Sequence, residues 1–107
     1  MTGQNLQQFD DNDIGSLLSA EGLVVVLLTA NWDGNGIILS SLIQGLAGRY
    51  DQATFGVVDY ESSPQLAKLF NMPRPPGLMF IKQGELVGRL MGPTGLGDIE
   101  DLINKNI

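Results

Sequence analysis

The chain has 107 residues, with twelve acidic and six basic side chains for a formal charge of −6, and it contains neither cysteine nor histidine. That double absence removes thiolate nucleophiles, disulfides, Cys/His zinc sites and any histidine general base. The acidic balance disfavours nucleic acid and anionic membrane surfaces as partners, and the 43% hydrophobic content suits one soluble globular domain over residues 1–107.

In chain order, Gln4–Phe9 reads as a short edge strand. Asp10, Asp11 and Asp13 precede Ile14, Leu17 and Leu18, so a first helix is expected over about 11–20, with its acids at the positive end of the helix dipole and Gly22 ending it. Leu23–Thr29 is short, β-branched and apolar on both faces, as a strand covered on both sides must be. The polar turn Trp32–Gly36 follows. Leu39, Leu42, Ile43, Leu46 and Tyr50 then fall at helical spacing and predict a helix over about 36–50. Thr54–Asp59 reads as a strand. Ser63 and Pro64 read as an N-cap and first helical residue, with Leu66, Leu69 and Phe70 as the buried stripe. Pro73, Pro75 and Pro76 mark a rigid turn. Leu78–Lys82, the turn Gln83-Gly84 and Glu85–Met91 read as a hairpin, broken by Gly92 and Pro93. A last helix over about 95–106 is expected to bury Leu96, Ile99, Leu102 and Ile103. The order is β-α-β-α-β-α-β-β-α, with parallel strands first and an antiparallel pair at the end.

The longest apolar run is Leu23–Leu28, far short of the roughly 20 residues a bilayer span needs. Residues 1–9 carry no signal-peptide pattern, and a cytoplasmic location is expected. The acids at 10, 11 and 13 lack the spacing and closing Glu of a calcium loop, and the glycine pairs 34/36 and 95/97 lack the context of a phosphate loop. On the second helix, the stripe opposite the core face is Ile37, Ser41, Gly45 and Gly48, with no Lys or Glu. Each of those glycines costs about 1 kcal/mol relative to Ala. The stripe reads as a docking face, as tolerated drift, or as glycines accepted to fit a neighbouring loop.

From Gly22 to Ile107 these landmarks, in this order, resemble the thioredoxin family. That family's Trp-Cys-Gly-Pro-Cys motif falls on Trp32, Asp33, Gly34, Asn35 and Gly36, and its cis-proline loop on Pro75, Pro76 and Gly77. Its hairpin falls on Ile81–Glu85, and its glycine after the last strand on Gly92. The resemblance implies an α/β thioredoxin fold, a single domain with a mixed central sheet of four to five strands flanked by about four helices. It also implies where the chain departs. Asp33 and Gly36 stand at the two cysteine positions, Leu27 where the family has a buried acid, and Phe55 where it often has a lysine.

The expectation is therefore a non-redox member that is not an enzyme, with no thiol–disulfide oxidoreductase activity, no cofactor and no metal. It would bind another protein, in a chaperone-like or assembly role, through a rim made of Trp32–Gly36, Pro75–Gly77 and Gly92. Asp33 reads as a plain N-cap, as an anionic contact for a basic partner, or as a catalytic carboxylate. Trp32 reads as an interface anchor or as a ring packed on its helix. Alternatives for the whole chain are a structural, self-associating domain that uses the second-helix stripe, and an enzyme with non-thiol chemistry. The chain is expected to be a monomer or a weak homodimer.

Overall fold

The computed structural model describes residues 6–92 and 94–107. Its strands are β1 (Gln7–Phe9), β2 (Leu23–Thr29), β3 (Ala53–Asp59), β4 (Gly77–Lys82) and β5 (Glu85–Met91). The α-helices are α1 (Ile14–Ser19), α2 (Gly34–Ala47), α3 (Pro64–Leu69) and α4 (Leu96–Asn106). The strands form one mixed sheet in the order β1-β3-β2-β4-β5. β1 and β2 run parallel to β3, while β4 is antiparallel to β2 and to β5. This is the thioredoxin fold expected from the sequence.

β2 lies at the centre because nothing on it needs water. Val24, Val26 and Leu28 pack on one face with Val58, Met79 and Ile81, under Leu17 of α1 and Leu66 and Ala67 of α3. Leu23, Val25 and Leu27 pack on the other with Phe55, Leu78 and Phe80, under Leu39, Ile43 and Leu46 of α2 and Ile99 and Ile103 of α4. A strand that feeds two cores has no polar face to spare.

Several element ends differ from the sequence expectation, each for a local reason. Of the expected edge strand, positions 4 and 5 lie outside the described residues, and pairing begins at Gln7. The first helix is split into a 3-10 turn at Asp11–Asp13 followed by α1. The acids capture nearby backbone: Asp10 Oδ1 accepts from Asn12 N at 2.8 Å, and Asp13 Oδ2 accepts from Asp10 N at 2.9 Å. Ala20 is already extended, so α1 ends before Gly22 is reached. α2 starts at Gly34, directly after its cap Asp33, and ends at Ala47; Tyr50 lies beyond it, half-buried against the core. Leu69 is 51% exposed and Leu96 is 39% exposed, because α3 turns only Leu66 and Ala67 inward and α4 is anchored by Ile99 and Ile103.

The cap of α3 is also not where the sequence placed it. Ser63 precedes the helix, but its hydroxyl makes no capping bond. Asp11, more than fifty residues earlier, takes that role: its Oδ2 accepts from Gln65 N at 3.1 Å and its Oδ1 from Leu66 N at 2.8 Å. These are two of the amides a helix start leaves open, and a cap of this kind contributes about 1 kcal/mol.

The β4–β5 turn places Gln83 at φ 53° and Gly84 at φ 82°. Two consecutive positive φ values are what the tightest hairpin loops require. Phe80 pairs with Gly88 but Ile81 pairs with Leu86, so Val87 is an extra residue, a bulge on the edge strand β5. Lys82 Nζ donates to the Asn106 carbonyl at 2.7 Å and ties the end of α4 to the sheet.

Candidate functional site

The site lies where β2 hands over to α2. β2 ends at Thr29, and the Asp33 N–H donates to the Ala30 carbonyl at 3.0 Å, closing a turn that holds Trp32 outward at 65% exposure. Asp33 is extended (φ −106°, ψ 105°) and caps α2, its Oδ1 accepting from Asn35 N at 3.0 Å. The residue is only 8% exposed, and its Oδ2 accepts no hydrogen bond from the described residues.

Gly36 is buried in the first turn of α2. A Cβ there would run into Thr29 Oγ1 and come within 3.0 Å of Thr29 Cβ. The absence of a side chain is what lets the helix settle on the end of β2.

Two other segments complete the site. The Pro75–Pro76 peptide bond is cis, and both prolines are buried. The Pro76 carbonyl accepts from Gly92 N at 2.8 Å, which joins this loop to the end of β5, where Gly92 takes φ 79°. Gly77 starts β4, and a Cβ on it would meet the Met72 methyl group.

Together these segments enclose a cleft of about 650 Å³. Trp32, Asp33 and Asn35 form one wall, Arg74, Pro75 and Pro76 the second, and Met91 and Gly92 the end. The structure thus brings together three stretches that are far apart in sequence. Gly34, Gly36 and Gly77 shape the elements around the cleft but do not line it. Arg74 and Met91 do line it, and sequence reasoning passes over both. An arginine beside two prolines, and a methionine closing an edge strand, are the available signals.

Asp33 and Arg74 are the charged residues lining the cleft, and they do not pair. Among the described residues the one ion pair joins Arg49 to Glu100 at 2.9 Å, between the end of α2 and α4. Leu27 and Phe55 are both buried, on the sheet face under α2 and α4. Of the second-helix stripe, Ile37, Ser41 and Gly45 are exposed on α2, whereas Gly48 is the residue that ends the helix and does not extend the stripe along it. A Cβ at Gly45 would meet nothing within 4 Å. Among the described residues no helix is long and apolar enough to cross a membrane, and no group of three or more His, Cys, Asp or Glu side chains could hold a metal ion.

A family model described as thioredoxin matches residues 5–105. A thioredoxin of Chlamydia trachomatis is 31% identical over 87 residues, covering 81% of this chain and 85% of the relative. Thioredoxin 2 of Chlorobaculum tepidum is 26% identical, covering all of this chain and 99% of the relative. Among solved structures, a mutant thioredoxin of Halobacterium salinarum superposes with a TM-score of 0.87 at 20% identity, over 99% of this chain and 94% of that one. Mitochondrial thioredoxin 3 of Saccharomyces cerevisiae gives 0.84 at 21% identity, over 94% of each chain.

These matches correct one expectation. The sequence reading makes the chain a non-enzyme, yet its relatives bear the name of a thiol–disulfide oxidoreductase, and a missing cysteine does not by itself make a member of such a group a non-enzyme. With its residues 5–105 matched and its five-stranded sheet in place, the chain belongs to the thioredoxin family.

Proposed function

We propose that the chain is a protein-interaction module, chaperone-like or assembly-directing, that holds an extended segment of a partner non-covalently along the rim of the cleft. The observation that carries this reading is the meeting of a largely exposed Trp32 with the Pro75–Pro76 loop and the end of β5 around one cleft. A tryptophan standing in water beside a concave, partly apolar surface suits an interface anchor. Pro75 has no N–H, so a bound segment is held through carbonyls and side chains rather than a full backbone ladder.

The test uses an array of extended hexapeptides probed with the labelled protein. Trp32→Ala should weaken the bound set by about tenfold or more, the effect of losing a tryptophan anchor. The chain has a single tryptophan, so its emission reports the same event in solution. Identical binding patterns for the wild type and Trp32→Ala would overturn the reading.

A second reading is self-association through α2, favoured by the open space over Gly45 beside Ile37, which is 67% exposed. No neighbour among the described residues needs that glycine small, although an exposed glycine within a helix costs about 1 kcal/mol. Sedimentation across a concentration series should show a weak dimer that Gly45→Arg abolishes. A monomer at every concentration would remove this reading.

A further inference from the structure

The arginines of the chain are Arg49, Arg74 and Arg89. Two of them hold the fold together. Arg49 pairs with Glu100 at 2.9 Å, and Arg89 Nη1 donates to the Asn71 carbonyl at 2.7 Å. Arg74 is exposed and pairs with no carboxylate among the described residues. It is also the arginine that lines the cleft. The other charged residue there, Asp33, is 8% exposed, with one oxygen on the Asn35 amide and the other shielded from solvent. From the solvent side, the cleft of a chain with charge −6 therefore presents a cation.

The backbone that carries Arg74 is already fixed. Pro73 precedes it and Pro75 and Pro76 follow, which locks φ on both sides and narrows the backbone choices of Arg74 itself. Tyr60 Oη donates to the Pro73 carbonyl at 2.7 Å, and Gly92 N donates to the Pro76 carbonyl at 2.8 Å. What is left to order on binding is the side chain, and that lowers the entropic cost of a contact. An unpaired guanidinium offers a planar fork of donors that matches a carboxylate.

We propose that Arg74 is the specificity-determining residue of the rim, and that it selects a bound segment with one acidic side chain, whose carboxylate it holds by charge-assisted hydrogen bonds. This rests on the rim being a protein-binding site. Asn35, exposed on the facing wall, adds an amide donor to the same cleft. Asp33 and the net charge of −6 set the limit. Both disfavour a run of acids, and both disfavour a phosphate group with its charge of about −1.5 to −2. The fitting ligand is a single aspartate or glutamate among neutral neighbours.

The experiment is the hexapeptide array with both peptide ends blocked, so that side chains supply every carboxylate. Glutamate, glutamine, lysine or phosphoserine is placed at each position in turn. The array is probed with the wild type, with Arg74→Gln and with the charge reversal Arg74→Glu, and thermal melting confirms that each variant is folded. The wild type should favour glutamate over glutamine at one position by about tenfold, and phosphoserine should bind no better than glutamate. Arg74→Gln should lose that preference while still binding the glutamine peptides, and Arg74→Glu should favour lysine at the same position. Equal binding of glutamate and glutamine by the wild type, or a preference that survives Arg74→Gln, overturns the proposal and leaves the rim reading intact. Phosphoserine binding well above glutamate overturns the choice of a carboxylate, and a folded Arg74→Gln that binds no peptide overturns the specificity role. If no hexapeptide binds the wild type, the rim reading fails and takes this proposal with it.

Discussion

Leu27→Asp is expected to destabilise the chain by about 3–5 kcal/mol at neutral pH, the scale of an uncompensated buried charge. Leu27 has no exposed surface. It pairs with Val57 on one side and Leu78 on the other, with Phe55 one step along the same face. The buried side chains of that cluster are all apolar. Since domains of this size hold only about 5–15 kcal/mol in total, the variant should be partly unfolded under ordinary conditions.

The effect has a direction in pH. Burial disfavours the charged form, so the introduced carboxyl would titrate higher in the folded chain than in the unfolded one. Between those two values the folded state binds more protons, and stability falls as pH rises. The loss should thus be smallest below about pH 4, where both states are protonated, and should grow as the pH climbs through the folded value. Urea melts of the variant and of Leu27→Asn across pH check this, because the amide should show a cost without that slope. A variant as stable as the wild type at pH 7 would mean that the cluster admits water or a counter-charge.

Gly56→Ala should cost about 1–3 kcal/mol, the usual range for overpacking. Gly56 sits in β3 between Gln7 of β1 and Val26 of β2. A Cβ there would overlap the Phe9 ring, lying 2.6 Å from its Cδ2, and would come within 2.8 Å of the Gln7 carbonyl. The ring can move, but the carbonyl belongs to the pairing of β1. Phe9→Ala in the same chain should therefore recover part of the loss and not all of it. Chemical denaturation of the two single variants and the double variant gives the coupling. Strict additivity would show that the ring is not the obstacle.

The sheet was legible because its signal is carried within single segments. Leu23–Thr29 and Glu85–Met91 have the observed bounds, and the Gln83-Gly84 turn announces its own geometry. The helix ends were less legible, because capping can come from anywhere. Ser63 looks like the cap of α3 by its neighbours, while the carboxylate that fills the role arrives from Asp11 through the fold. Leu69 and Leu96 fit an apolar spacing, but each helix turns a narrower face inward. The three stretches around the cleft could be named from resemblance, whereas Arg74 and Met91 could not. Their place depends on the Pro76 carbonyl being joined to Gly92, a contact no local pattern encodes.

The fit of Gly36 against Thr29 has a consequence for how this chain can change. A side chain at position 36 requires the Thr29 hydroxyl to turn away or be removed, so the two positions are coupled rather than independent choices. A library that varies residue 36 alone samples that position against a penalty set by Thr29. One that varies residues 29 and 36 together, with glycine among the choices at 29, lifts that penalty and widens what the start of α2 can carry.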